Sequence, residues 1–302
     1  MDIEALKYFI TVLAAGLLTG VMYALVALGF VLIYKASGVF NFAQGAMVFF
    51  AALTAVGLQE LGMPLWVAII LTMGVMVVLG LAIEKIVLRP LVNQHDITLF
   101  MATIGLTFFI EGLAQLVWGS TVHKLDLGIP DTPIEFLMEK TGMLVSQFDV
   151  IAAGICAVLV GALALLFNKT KIGRALRAVA DDHQAALTVG IPLQHVWGVV
   201  WAVAGFVALV AGLLWGARNG VQFALTFIAL KALPVLILGG FTSVPGAIVG
   251  GLIVGATEKL AEVYIGPMVG GGIENWVPYV LALLFLLVRP EGLFGEKIIR
   301  RI

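Results

Sequence analysis

Polar side chains standing inside long apolar runs are the groups of this chain able to do chemistry, because hydrocarbon offers them no partner. Asn41 and Gln44 are such a pair, one helical turn apart beside Gly45. Thr242 and Ser243 hold the matching place in a second segment, since Gly38-Val-Phe-Asn-Phe-Ala-Gln-Gly-Ala-Met-Val48 aligns with Gly239-Gly-Phe-Thr-Ser-Val-Pro-Gly-Ala-Ile-Val249. If both sites face one cavity, they supply neutral donors and acceptors that suit the passage of a small polar or zwitterionic solute. The same groups would otherwise be interhelical hydrogen bonds holding a bundle, each pair contributing about 1 kcal/mol or less. The echo also has two readings: a repeat whose broken helices meet at a solute path, or the chance likeness of Gly- and Ala-rich membrane helices.

Thr103, Thr107, Glu111 and Gln115 make a second polar line, each four residues after the last. At about 100° per residue they drift slowly around a helix and form one slanting stripe. Glu111 reads as the one acid well inside a span, and an intramembrane carboxylate is a functional suspect. Its place about two turns from Trp118 equally allows water to reach it. Small residues recur every four positions at Gly16, Gly20 and Ala24 and again at Ala247, Gly251 and Gly255, giving flat strips for close helix packing.

Other chemistry is missing from the sequence. No Gly-Lys dipeptide occurs, so the usual phosphate-cradling loop is absent. His95, His123, His183 and His195 are scattered without metal-ligand spacing, so no metal ligands are assigned. Neither a nucleophile with its base nor a pair of acids appears within the spans, so no catalytic residue and no cofactor is expected. A net charge of -1 leaves no nucleic-acid footprint.

The elements that position these groups follow from composition. With 62% hydrophobic and 12% charged residues, the chain is far from the balance of a soluble domain and reads as an integral membrane protein. Apolar runs near 20 residues fit helices crossing about 30 Å of hydrocarbon. The alternating polarity of a barrel is missing. The fold class is therefore all-α and polytopic, with eight or nine membrane segments in a single transmembrane domain over 1–302. The predicted spans are 8–34, 39–58, 65–88, 98–118, 149–167, 195–217, 228–240, 246–264 and 275–288. Segment 228–240 is short enough to be a broken or re-entrant half-helix turning back at 239–245.

Lys and Arg gather in the connections at 35, 85–89, 169–177 and 289–301, which places the carboxyl terminus in the cytoplasm and the amino terminus outside. The acidic loop 119–148 then faces outward, as a solvated loop or a docking surface. Asp2 and Glu4 ahead of the first run are unlike the basic start of a signal peptide, so that span is expected to be retained. Cys156 is the single cysteine and excludes an intrachain disulfide.

The longest charged stretch, Lys169-Thr-Lys-Ile-Gly-Arg-Ala-Leu-Arg-Ala-Val-Ala-Asp-Asp-His183, lies in the cytoplasmic loop 168–194. Its pattern predicts a helix from about Arg174 to Thr188 with Ala and Leu largely on one face, offered to a cytoplasmic partner.

Taken together, several motifs resemble the membrane subunit of ABC importers of the branched-chain amino-acid type, a family that includes urea and short-chain amide permeases. They are Tyr23-Ala-Leu-Val-Ala-Leu-Gly29 leading into Asn41-Phe-Ala-Gln-Gly45, Gly173-Arg-Ala-Leu-Arg-Ala-Val-Ala-Asp-Asp182 ending at Gly190-Ile191, Leu238-Gly-Gly-Phe-Thr-Ser-Val-Pro-Gly-Ala247 with Gly250-Gly251, and Arg289-Pro-Glu-Gly-Leu-Phe-Gly295. The resemblance implies a multi-pass subunit of a bacterial inner membrane. It also implies two cytoplasmic ATPases, a second related permease and an external solute-binding protein as partners, besides membrane lipid. It makes the 174–188 segment a coupling helix in an ATPase groove. Gly173, Arg174, Arg177, Asp181 and Asp182 would lie at that contact, with Ala175, Leu176, Ala178 and Val179 supplying apolar surface. Gln44 stands where many members carry His, which leaves the solute open. The competing function is an ion-coupled secondary transporter, for which Glu111 and the break at 239–245 are the available coupling features.

Overall fold

The structure, a computed structural model, describes residues 3–91, 94–181 and 183–295. Helices account for about four-fifths of them, and the β pairing is limited to isolated bridges such as His123 with Val221. In lipid a helix satisfies its backbone internally, so apolar sequence and helical form go together here. The helices are α1 (Ile3–Ser37), α2 (Gln44–Glu60), α3 (Leu65–Ala82), α4 (Asp96–Trp118), α5 (Glu135–Thr141), α6 (Gln147–Lys169), α7 (Lys171–Asp181), α8 (His183–Thr188), α9 (Leu193–Asn219), α10 (Ile228–Gly239), α11 (Val244–Tyr264), α12 (Gly266–Val269) and α13 (Val277–Val288).

Among the described residues, six stretches are long and apolar enough to cross a membrane: Glu4–Ser37, Leu65–Leu91, Ile97–Trp118, Gln147–Lys169, Leu193–Asn219 and Val244–Tyr264. Phe223–Gly239 and Val277–Val288 are apolar but shorter. α2 has 17 residues, about 26 Å of helix, and falls short of the hydrocarbon thickness by itself.

The chain packs as two compact units. One comprises residues 28–127 and 161–230, and the other the described parts of 1–27, 128–160 and 231–302. In the first, α2 is enclosed, with every residue from Gln44 to Gly57 buried among α3, α4, α9 and the 3-10 turn Phe223–Phe227. Glycine makes this possible. A Cβ on Gly212 of α9 would lie 2.5 Å from Val48 O, and one on Gly80 of α3 would lie 2.6 Å from Trp201 O. Below α3 the helix widens to π-helical over Ile83–Leu88. That wider turn matches the five-residue spacing at which Arg89 donates to both carboxylate oxygens of Glu84, at 3.0 and 2.8 Å.

In the second unit the two glycine strips face each other. A Cβ on Gly20 of α1 would lie 2.4 Å from Gly251 O, and one on Gly255 of α11 would lie 2.3 Å from Gly16 O. Ala247, on the same strip, is fully buried. The segment after α13 folds back to α10, where Leu293 N donates to Leu238 O at 2.7 Å and Phe294 N to Gly239 O at 3.2 Å. Those are the last carbonyls of α10, which a helix end otherwise leaves unsatisfied. The Arg289–Gly295 motif thereby gains a structural purpose.

Because backbone meets backbone at these strips, Gly20→Leu is expected to lower the thermal transition of the solubilised chain by an overpacking cost of about 1–3 kcal/mol. Gly74 has open space around it, so Gly74→Ala is expected to be neutral or to gain up to about 1 kcal/mol from helix propensity. A thermal-shift measurement reads both, and an unchanged transition for Gly20→Leu would remove the α1–α11 contact from the account.

Candidate functional site

The site is built around the entry to α2. From Gly38, with φ +69°, the chain turns through Asn41 and becomes helical at Gln44. Asn41 thus precedes the helix, where the sequence pattern put it on the first turn. The physical reason is local: Asn41 Oδ1 accepts from Ala43 N at 3.1 Å, which holds the backbone in a turn. Asn41 Nδ2 donates to Gln44 Oε1 at 3.3 Å. Both side chains are 0% exposed. Gln44 Nε2 has no hydrogen-bond partner among the described residues. It lies over Gly29 of α1, where a Cβ would come within 2.2 Å.

Thr103 of α4 secures the same turn. Its hydroxyl accepts from Phe42 N at 3.4 Å and donates to Phe100 O at 2.9 Å, with Phe40 O as a second acceptor at 3.2 Å. Phe30, Phe40, Phe42 and Phe100 form a run of ring contacts around it, with centroids 4.8–5.0 Å apart. Beside the turn lies a cavity of about 300 Å³, lined among others by Phe42, Gly45, Thr107, Glu111, Phe223 and Thr226. A Cβ on Gly45 would lie 2.2 Å from Thr226 O, so the 3-10 turn forms that wall only because residue 45 is glycine.

The stripe on α4 therefore divides. Thr103 supports the turn, whereas Thr107 and Glu111 reach the cavity. Asn41 and Gln44 are fully buried and are not among its lining residues. Glu111 is 8% exposed and has no ion pair among the described residues. Thr107 Oγ1 donates to Thr103 O at 2.9 Å, and Thr226 Oγ1 donates to Phe223 O at 2.9 Å.

Thr242 and Ser243 belong to the other unit. Ser243 caps α11, its Oγ accepting from Gly246 N at 3.0 Å. The aligned segments do share a form. Each has a glycine at positive φ, Gly38 and Gly240, followed by a turn and a helix start at Gln44 or Val244, one place apart in the alignment.

Two buried acids join Glu111, which the sequence pattern presented as alone. Glu84 is 2% exposed and pairs with Arg89. Glu258 of α11 is 2% exposed, accepts from Tyr23 Oη at 3.0 Å and lies 3.4 Å from Lys231 Nζ. The Glu258-Lys259 dipeptide near the end of an apolar run masks the acid, and its partners lie far away in sequence. Tyr23, which opens a motif in α1, has this bond as its physical reason.

The charged loop also differs from expectation. The described residues are helical over Lys171–Asp181 and His183–Thr188, so the helical stretch begins about three residues before the predicted start at Arg174 and runs to the predicted end at Thr188. Thr170 starts α7 early, its Oγ1 accepting from Gly173 N at 3.2 Å. Gly173, Leu176 and Val179 are buried, with α7 packed against α9. Leu176 and Val179 are thus turned into the chain's own packing, and cannot supply surface to a partner while α7 stays seated. Arg177 Nη1 donates to Phe167 O at 3.0 Å and tethers α7 to the end of α6. Arg174 and Asp181 are exposed, and Ala175 and Ala178 half-buried. Asp182 lies outside the described residues.

Thr103→Val keeps the shape but strands Phe42 N, so a loss of about 1–3 kcal/mol is expected. Thr107→Val removes only a bond to its own helix and is expected within about 0.5 kcal/mol of wild type. Denaturation midpoints of the two variants check the difference; equal midpoints would separate Thr103 from the stability of the turn.

Comparison with known proteins gives this geometry a setting. The family described as "Branched-chain amino acid transport system / permease component" matches residues 12–289. The permease protein BraD of a high-affinity branched-chain amino acid transport system in Pseudomonas aeruginosa is 26% identical, over 98% of both chains. LivH of Escherichia coli, described in the same terms, is 27% identical over 99% of both. A probable LivH of Methanocaldococcus jannaschii is 29% identical over 94% of this chain and 92% of its own. With the family matched across nearly every span and the relatives aligned from end to end, the chain belongs to the permease components of branched-chain amino acid transport systems.

Proposed function

We propose that this chain is the membrane-spanning permease subunit of an ATP-driven importer carrying branched-chain or related amino acids into the cytoplasm. ATP hydrolysis falls to two cytoplasmic ATPase subunits. A second, related permease completes the membrane part, and an external binding protein delivers the solute. The chain forms a single permease domain in the inner membrane, with the amino terminus outside, the carboxyl terminus in the cytoplasm and eight or nine crossings.

One observation carries the reading: α7 is divided between two tasks. Leu176, Val179 and Arg177 seat it on the spans, while Lys171, Ile172, Arg174 and Asp181 stay exposed. A short helix held firmly to membrane helices and bearing exposed charge is suited to pass a partner's movement into the spans. Closure of the ATPases would push α7, α7 would move α9 beneath it, and the spans would exchange outward- and inward-open arrangements. The polar positions Asn41, Gln44, Thr103, Thr107, Glu111, Thr242 and Ser243 would then shape or support the solute path.

The test separates the two tasks of α7. Arg174→Glu in the assembled transporter is expected to cut ATP hydrolysis stimulated by the loaded binding protein by about tenfold, with the thermal transition of the permease unchanged. Arg177→Ala is expected to lower both. Full stimulation in Arg174→Glu would overturn the assignment of α7 as the coupling element.

A further inference from the structure

We propose that the cavity beside Gly45 is an ammonium site, in which Glu111, Thr107 and Thr226 receive the amino group of the transported solute. The inference rests on the importer reading and assigns to this subunit a direct part in recognising the solute.

The argument begins with what the wall can offer. Glu111 is more than nine-tenths buried and lines a space of about 300 Å³, the lower end of the size range of small-molecule sites, about 300–1,000 Å³. A carboxylate in such a place is stabilised by a counter-charge, and none is paired with Glu111 among the described residues. Glu84 and Glu258, by contrast, both have their cations in Arg89 and Lys231. The two hydroxyls of the wall have already committed their protons. Thr107 Oγ1 donates to Thr103 O and Thr226 Oγ1 to Phe223 O, so each has only acceptor capacity left for the cavity. All three groups accept.

A ligand complementary to that wall brings donors and positive charge, which is the description of a primary ammonium with its three N–H bonds. A solute carboxylate would be repelled here and must point elsewhere. The rest of the lining agrees. Phe108, Phe223 and Phe227 present aromatic surface, which attracts a cation through the ring quadrupole and also accepts an aliphatic side chain. Urea and simple amides bring donors without the charge, so Glu111 would favour amino acids over them.

The same chemistry is available from a free amino acid and from an ethanolamine lipid headgroup, and the test distinguishes them. The full-length chain is placed in nanodiscs of phosphatidylglycerol and titrated with isopentylamine, which is leucine without its carboxylate, and with isocaproate, which is leucine without its amine. The amine is expected to raise the thermal transition saturably and the acid to leave it unchanged. Glu111→Gln is expected to weaken the amine at least about tenfold, and Thr226→Val to weaken it by less. Equal responses to amine and acid, or full amine binding by Glu111→Gln, would overturn the site. In discs containing phosphatidylethanolamine, native mass spectrometry should show free leucine displacing any retained lipid. Lipid held by wild type and not by Glu111→Gln, yet resistant to leucine, would assign the cavity to lipid instead and overturn the proposal.

The assembled transporter provides the second arm. Nucleotide-dependent leucine uptake is expected to fall about tenfold or more in Glu111→Gln, and wild-type uptake by that variant counts against the site alone. Absence of nucleotide-dependent uptake by the wild-type assembly would overturn the importer reading, while the amine titration still decides the cavity.

Discussion

The contact of one helix backbone with another at glycine is the constraint on which the rest depends. Lipid provides no hydrophobic force to press helices together, so association relies on close packing and on hydrogen bonds. In one unit Gly212 and Gly80 bring α9 against α2 and α3, and Gly45 admits the Phe223–Phe227 turn against α2. In the other, Gly16 and Gly20 meet Gly251 and Gly255 with no room for a Cβ. Enclosure of α2 follows directly. A helix too short to cross the hydrocarbon is sustained because protein surrounds it, and that shell is also what keeps Asn41 and Gln44 from lipid.

Within this packing the buried acids have three different fates. Glu84 is held by a bidentate guanidinium, the strongest geometry available to a carboxylate. Glu258 shares a tyrosine hydroxyl and a lysine, and ties α1, α10 and α11 in one unit. Glu111 has neither among the described residues, and stands at a cavity wall. A buried carboxylate without a counter-charge is expensive, and that difference is the ground on which Glu111 is proposed to meet the solute. The other two are explained by the bonds they already make.

The motifs also resolve into separate physical tasks. Thr103 and Asn41 shape the chain ahead of α2, the Arg289–Gly295 segment closes the end of α10, and Thr170, Gly173 and Arg177 seat α7. Much of what looks like a contact surface in the charged loop is spent on holding α7 in place. Exposed charge on α7 is then the part free to meet a partner.

Much of this was legible in the sequence. Apolar run lengths placed the long helices with ends within about five residues of those observed, because a chain in hydrocarbon has no alternative that satisfies its backbone. The four-residue spacing of Thr103, Thr107 and Glu111 put them on one stripe, and the glycine strips announced close packing. Tertiary structure alone decided which strip meets which, and that Lys231 and Tyr23 serve Glu258 across long separations. It also decided that Leu176 and Val179 face inward, and that Glu111 borders a cavity while Gln44 is sealed. Periodicity records which residues share a face of one helix. What that face meets depends on where the other helices lie, and no local pattern carries that information.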